Sequence, residues 1–265
     1  MDKLQRAPAR PAWTGVVIAA AVWAIMLSAG CEESPSPSRP SAAANRPSPA
    51  PVAAAIDLPR VDQRLCTAVV LLVDTSGSMS QSVPDRGGVQ QPKHLIARRA
   101  LDRIIDYTTN WRQTHSDRVL QLAIYHFSSA VHGVLQMGVF DGAAATSAVG
   151  RIPGPGGGTA IGLALEAGFR SLYGSGCVRK YIVCITDGEN TAGPPPDRIA
   201  RQLYRQTGGE VEIHFVAFDM SAARFDFLKD ANGTAVEAAD GEQLQAQLSE
   251  IYEKRILAEA AAEQP

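Results

Sequence analysis

Residues 67–78 read TAVVLLVDTSGS, an apolar run without charge that ends in a cluster of oxygen-bearing side chains. An uninterrupted apolar run of this length is typical of a strand buried on both faces of a parallel sheet. A second run of the same kind, KYIVCIT at residues 180–186, is also followed by an aspartate, Asp187. Strands buried on both faces need helices on both sides, so these two runs predict a sheet between two helical layers.

The rest of the chain alternates between strand and helix periodicity. Apolar residues recur at helical spacing in residues 95–111, 159–172, 197–206 and 243–258, and further strand-like runs occupy residues 119–128, 211–218 and 235–236. Residues 131–139 follow the preceding strand too closely for a helical crossover, which predicts a hairpin partner. The predicted fold class is α/β, with a mostly parallel sheet and helices on both faces.

Composition excludes several classes of function. The 265-residue chain has 25 basic and 27 acidic residues and a net charge of −2, so it has no broad basic surface for non-specific nucleic-acid binding. Its four cysteines are too few and too dispersed for a disulfide scaffold, and they include no C-x-x-C pair that would indicate a zinc site or thiol redox chemistry.

The N-terminus has the pattern of an export signal. Three basic residues precede a charge-free apolar run at residues 14–30, which ends in LSAG before Cys31. This ending resembles a bacterial lipobox, in which the cysteine is acylated, although Ser28 stands where that pattern prefers Leu. We therefore predict a lipoprotein signal peptide at residues 1–30 and membrane attachment through acyl chains on Cys31. An uncleaved signal anchor is the alternative, and either reading places the folded part in the cell envelope, in the periplasm or at the cell surface.

Composition also divides the rest of the chain. Residues 31–61 are rich in Pro, Ser and Ala and predict a disordered tether, because such a stretch buries too little apolar surface to fold. The folded domain is predicted at residues 62–258, followed by a disordered tail at residues 259–265. Removal of residues 1–30 leaves a net charge of −4, so the body itself is not expected to bind anionic lipid.

Three oxygen-rich segments fall where the strands end or a helix begins. They are DTSGS at residues 74–78, GGGT at residues 156–159 and TDGEN at residues 186–190. The carboxyl ends of strands in open α/β sheets converge on one edge, so these segments are expected to meet there. Each segment alone is equally compatible with simple capping of a helix.

Together the three segments resemble the metal-ion-dependent adhesion site of the von Willebrand factor type A domain. The family pattern of Asp-x-Ser-x-Ser, a later Thr and a later Asp falls on Asp74, Ser76, Ser78, Thr159 and Asp187. The resemblance covers roughly residues 64–257 and implies a doubly wound sheet with one antiparallel edge strand. It also implies Mg²⁺, or Mn²⁺ or Ca²⁺, at the site.

The residue types agree with this metal chemistry independently. Hydroxyl and carboxylate oxygens suit hard divalent cations, and two anionic ligands leave a dication under-neutralised, with a coordination position for water or a ligand carboxylate. We therefore expect a binding module whose protein partner supplies an exposed Asp or Glu, and no enzymatic activity. A metal-assisted hydrolase, for which Glu189 is the nearest candidate base, is the alternative, and a structural organiser of the envelope with permanent partners is a third reading.

Enzyme motifs built on the same residues are incomplete. A dehalogenase-type phosphatase needs a second aspartate at the position of Ser76, and a P-loop needs a lysine that residues 154–159 do not contain.

The strand alignment also predicts a disulfide between Cys66 and Cys177. If Asp74 and Asp187 are level on neighbouring strands, Cys66 lies eight residues before the first and Cys177 ten before the second. Cys184 would then be too distant from Cys66 and should remain a buried thiol. The alternative is that all three cysteines are reduced.

Overall fold

The computed structural model describes residues 54–262. Cys31, the predicted signal peptide at residues 1–30 and most of the predicted tether lie outside these residues. Within residues 54–262, no helix combines the length and apolar character that crossing a membrane requires.

Eight strands and six α-helices make up the described part of the chain. The strands are β1 (Arg64–Asp74), β2 (Ser82–Pro84), β3 (Gln90–Pro92), β4 (Leu120–Phe127), β5 (Val131–Val139), β6 (Cys177–Thr186), β7 (Val211–Phe218) and β8 (Gly233–Ala238). The helices are α1 (Lys93–Thr114), α2 (Gly142–Gly150), α3 (Ile161–Ser175), α4 (Pro196–Thr207), α5 (Gly241–Leu248) and α6 (Ala258–Ala262). A π-helix at Ser249–Leu257 joins α5 to α6.

The main sheet has six strands in the order β5-β4-β1-β6-β7-β8. Strand β1 lies at the centre and pairs in parallel with both β4 and β6. Strand β5 pairs antiparallel with β4 at the edge, as the short connection predicted. The predicted α/β class, a doubly wound and mostly parallel sheet with one antiparallel edge strand, is confirmed.

Alternate residues of β1 enter two separate hydrophobic cores. Val69 and Leu71 pack on one face with residues of α1 and α5, whereas Val70 and Leu72 pack on the other face with residues of α3 and α4. Successive side chains of a strand point to opposite faces, so covering both faces requires the uninterrupted apolar run.

Two elements differ from the sequence-based expectation. Helix α2 was not predicted, because it is short and alanine-rich and has no marked apolar stripe; the Asp141 carboxylate caps it by accepting from the Ala144 N–H at 3.0 Å. The segment after Ser78, for which no strand was predicted, contains the β2–β3 hairpin, in which Val83 pairs with Gln91.

The folded domain extends beyond both of its predicted boundaries. The Ile56 N–H donates to Gln206 Oε1 at 3.2 Å, and the Ile56 side chain is buried, so the end of the predicted tether at residues 31–61 packs on the domain. At the other end, the helical backbone continues to Ala262 and Ala260 is buried. The predicted tail at residues 259–265 therefore includes four residues of the folded domain.

A disulfide joins Cys66 and Cys177, whose Cα atoms lie 4.8 Å apart, and Cys184 is a buried free thiol. Burial is the main reason that the pKa of Cys184 is raised. Val73 pairs with Ile185, so Asp74 lies opposite Thr186 and not, as the alignment assumed, opposite Asp187. At the other end of the strand pair, Cys177 pairs with Arg64, two residues before Cys66, and the register shifts between Arg64 and Thr67 beside the disulfide.

Candidate metal centre

Backbone hydrogen bonds hold the loop after β1 against the glycine-rich loop before α3. The Gly77 N–H donates to the Gly157 carbonyl at 3.1 Å, and the Gly156 N–H donates to the Thr75 carbonyl at 2.8 Å. Gly157 has a φ of 79°, a left-handed conformation that favours glycine over residues with a β-carbon. The glycines thus let the segment at residues 156–159 approach the Asp-x-Ser-x-Ser turn.

The backbone of Thr159 is hydrogen-bonded to the loop that follows β6. Its N–H donates to Thr191 Oγ1 at 2.8 Å, and its carbonyl accepts from the N–H groups of Thr191 at 2.9 Å and Ala192 at 3.1 Å. With its backbone fixed on both sides, Thr159 stands directly before α3, where the sequence placed it.

Asp74 is the last residue of β1, and its carboxylate is fixed by two hydrogen bonds. Oδ1 accepts from the Ser76 N–H at 2.7 Å, and Oδ2 accepts from the Thr186 hydroxyl at 2.6 Å. Its side chain is buried, and this burial raises the pKa of Asp74 to about 6, although the hydrogen bonds from Thr186 and Ser76 oppose the rise.

A chain of hydroxyl groups connects the first loop to Asp187. Ser76 Oγ lies 3.0 Å from Ser78 Oγ, and the Ser78 hydroxyl donates to Asp187 Oδ1 at 2.7 Å. A β-carbon added to Gly188 would lie 3.1 Å from Thr159 Oγ1 and 3.7 Å from Ser78 Oγ, so both hydroxyls border the same space. Asp74 at the end of β1 and the four other predicted residues, which lie in the adjoining loops, therefore meet at the carboxyl ends of the central strands.

The donor set fits a hard divalent cation. Two carboxylates and three hydroxyls converge, and oxygen ligands of this kind are those that Mg²⁺ and Ca²⁺ take in proteins. No group of three or more His, Cys, Asp or Glu side chains arranged for a metal occurs within residues 54–262. Metal binding here would consequently depend on the serine and threonine hydroxyls as well as the two aspartates.

Sequence reasoning missed a buried lysine at this site. Lys93, the first residue of α1, places Nζ 3.0 Å from Asp187 Oδ2, 2.9 Å from Asp219 Oδ2 and 3.3 Å from Gln81 Oε1. Burial lowers the pKa of Lys93, but the carboxylates of Asp219 and Asp187 outweigh it and the net pKa is raised. No spacing motif marks this residue, because Asp187 and Asp219 follow two different strands and reach it only through the sheet order.

Glu189, the nearest candidate base in the sequence, lies on the rim of the site. Its carboxylate forms an ion pair with the Arg224 guanidinium, and both side chains are more than half exposed.

The family model of the von Willebrand factor type A domain matches residues 68–251, and the chain belongs to this family. No curated protein matches the sequence closely enough to count as a relative.

Solved structures support the same fold. A von Willebrand factor type A protein from Catenulispora acidiphila is 22% identical with a TM-score of 0.56, over 72% of this chain and 42% of that chain. BatB from Bacteroides thetaiotaomicron is 19% identical with a TM-score of 0.55, over 73% of this chain and 99% of that chain.

Proximal thread matrix protein 1 from the mussel byssus, in a structure whose metal-ion-dependent adhesion motif is occupied by zinc, is 17% identical with a TM-score of 0.54. That match covers 76% of this chain and 47% of the mussel chain. This chain thus spans less than half the length of the Catenulispora and mussel proteins.

Proposed function

We propose that this domain binds a protein partner through a divalent cation, Mg²⁺ in the first instance, with Mn²⁺ or Ca²⁺ as alternatives. The residues that would hold the ion are Asp74, Ser76, Ser78, Thr159 and Asp187. The observation that carries the proposal is the hydroxyl chain from Ser76 through Ser78 to Asp187, beside the buried carboxylate of Asp74. The zinc-occupied motif of the mussel protein supports divalent binding by this type of site.

The charge of the site favours an acidic partner. Two aspartates balance the charge of a dication in formal terms only. A hard cation whose other ligands are neutral hydroxyls keeps a coordination position for a further anionic oxygen. The partner would supply that oxygen from an exposed Asp or Glu side chain. Binding would then require both the metal and the partner's carboxylate.

We propose a binding module and not an enzyme. A hydrolase would need a general base within reach of a metal-activated water. Glu189 is the nearest candidate, and its pairing with Arg224 engages the carboxylate that such a base would need. The opposing prediction of the hydrolase hypothesis is turnover of a phosphoester by the purified protein.

We also propose that the domain is displayed outside the cytoplasm on a lipid anchor. This proposal rests on the sequence of residues 1–31, in which an apolar run ends at Cys31. The segment that follows would connect the anchor to the domain, and partners would be proteins of the cell envelope.

A pull-down from envelope extract tests the proposal. Wild-type protein in Mg²⁺ should retain a partner that is released by chelator and is not retained by Asp74→Ala. Glu250→Ala, which removes an exposed carboxylate paired with Lys254, is the matched control and should retain the partner.

The partner should also be lost when its own carboxylates are amidated. A partner that stays bound in chelator would contradict the proposal, and phosphoester turnover that requires Asp74 would favour the hydrolase.

A further inference from the structure

Lys93 is a buried cation inside the proposed metal centre. Its side chain is 3% exposed, and its ammonium group has three acceptors, from Asp187, Asp219 and Gln81. An ammonium group has three N–H donors, so these contacts use its full hydrogen-bonding capacity. Such a residue is held in place and is not a surface lysine that happens to lie nearby.

The two oxygens of Asp187 face different partners. Oδ1 accepts from the Ser78 hydroxyl at 2.7 Å, on the side of the hydroxyl chain, and Oδ2 accepts from Lys93 at 3.0 Å. The Asp187 side chain is fully buried, and a buried carboxylate is costly unless a cation or several hydrogen bonds compensate it. Lys93 supplies that compensation from within the chain.

We propose that Lys93 is a built-in counter-cation that tunes this site toward an acidic partner. It neutralises Asp187 in the metal-free domain, and its charge lowers the affinity for a divalent cation when one binds. The inference rests on the proposed function, because it concerns the same metal centre.

Formal charges explain why such tuning favours an acidic ligand. Asp74 and Asp187 contribute −2 and Lys93 contributes +1, so a bound dication leaves the centre with a net +1. Asp219 also contacts Lys93, but its side chain is 44% exposed, so water weakens its charge and it offsets that of Lys93 only in part. One carboxylate from a partner then brings the centre to neutrality, which couples metal retention to partner binding.

The variant Lys93→Met tests this role, because methionine keeps an unbranched apolar stem and removes the charge. Calorimetric titration of the detergent-solubilised full chain with Mg²⁺ should show a dissociation constant about tenfold lower than that of the wild type, or lower still. Lys180→Met is the matched control: Lys180 is also 3% exposed in its side chain, and it pairs with Glu210 at 3.2 Å near the start of β6, away from the metal centre. Its Mg²⁺ affinity should equal that of the wild type.

Thermal unfolding gives a second readout. Without metal, Lys93→Met should melt at a lower temperature than the wild type, because Asp187 loses its counter-charge. The increase in melting temperature on adding Mg²⁺ should be larger in the variant than in the wild type.

Asp219→Asn tests the inference even if Lys93→Met does not fold. Asp219 has a φ of 54°, a conformation that asparagine also tolerates. Without the Asp219 carboxylate, the positive charge of Lys93 acts on Asp187 and on no second carboxylate. The affinity for Mg²⁺ should therefore fall several-fold.

The outcomes separate this inference from the proposed function. A wild type that binds no divalent cation overturns both. A wild type that binds Mg²⁺, with unchanged or weaker binding in Lys93→Met, overturns only the role of Lys93. Should that variant fail to fold, unchanged or tighter binding in Asp219→Asn would overturn the role instead.

Discussion

The carboxylate of Asp74 is held in a fixed orientation that suits the proposed metal binding. Its carboxylate is buried at the end of β1, and the Ser76 N–H and the Thr186 hydroxyl hold one oxygen each. The group is therefore already oriented, so little conformational freedom remains to be lost when a cation binds. The cost of burying it is visible in its raised pKa, about 6.

The two serine hydroxyls are expected to contribute unequally. Ser78→Ala should weaken Mg²⁺ binding by roughly tenfold, since it removes both a ligand and the hydrogen bond to Asp187 Oδ1. Ser76→Ala should weaken it less, because Ser76 Oγ contacts Ser78 and not Asp187. Calorimetry on the purified variants measures both effects.

Ser80→Ala is the control for this pair. The Ser80 hydroxyl donates to the Gly77 carbonyl at 2.7 Å in the same turn, on its exposed side. Its loss should leave Mg²⁺ affinity unchanged. Equal affinities for Ser78→Ala and Ser80→Ala would show that Ser78 is not a ligand.

The candidate ligands could be predicted from sequence, whereas their supports could not. Asp74, Ser76 and Ser78 follow one strand at fixed spacing, so a local pattern is enough to detect them. Lys93 contacts Asp187, which is 94 residues away in the sequence, and Thr186 contacts Asp74, which is 112 residues away. Such contacts depend on strand order and register, which no local pattern contains.

At the scale of elements, burial on both faces made the central strands easy to predict. Strands β1 and β6 are continuous apolar runs, and β5 was expected from its short connection to β4. Helix α2 was missed because alanine-rich segments have little helical periodicity in hydropathy. The register between β1 and β6 was misjudged by one residue, because aspartates at strand ends need not be level.

The disulfide is expected to stabilise the strand pair at the edge opposite the metal centre. It closes a segment with a sequence separation of 111 residues, for which the chain-entropy model gives up to about 4.7 kcal/mol. Peptide mapping without reductant should yield a linked Cys66–Cys177 peptide, with Cys184 alkylated only after unfolding. A Cys66–Cys184 link, or three thiols that are reactive once the protein is unfolded, would contradict the pairing.

The last helical turns are expected to belong to the stable domain. Glu259 accepts from the Tyr181 hydroxyl and lies 3.3 Å from Arg179 Nη1, and Ala260 is buried. A chain that ends at Ala258 should lose about 2 kcal/mol of unfolding free energy, as judged by urea denaturation.

A chain that ends at Ala262 retains those contacts and is the matched control for this truncation. Equal free energies of unfolding for the two truncated chains would show that the stable domain ends at residue 258.

At the scale of the molecule, the proposed metal centre and the residues that lead into β1 lie at opposite ends of the strands. Strand β1 has 11 residues and therefore extends over about 33 Å, from the side of the disulfide to Asp74. Residues before β1 pack beside Gln206, near the end of α4, on the disulfide side. The proposed metal centre therefore lies at the opposite end of β1 from the residues that precede this strand.

Lipid attachment is predicted to depend on Cys31. Cys31→Ser should abolish incorporation of a labelled fatty acid, because the thiol is the acylation site in the lipobox pattern. Metabolic labelling followed by immunoprecipitation measures it, and Cys184→Ser, which removes a buried thiol, should label like the wild type. Equal labelling of Cys31→Ser would rule out the lipobox interpretation.

Calorimetric titration of wild type and Asp74→Ala with Mg²⁺ tests the central claim most directly. Asp74→Ala removes one of the two proposed anionic ligands, and the alanine leaves the strand in place, so the protein should remain folded by circular dichroism. We predict saturable binding of one Mg²⁺ per wild-type chain and no measurable binding by Asp74→Ala. Equal Mg²⁺ affinity in the two proteins would contradict the metal centre described here.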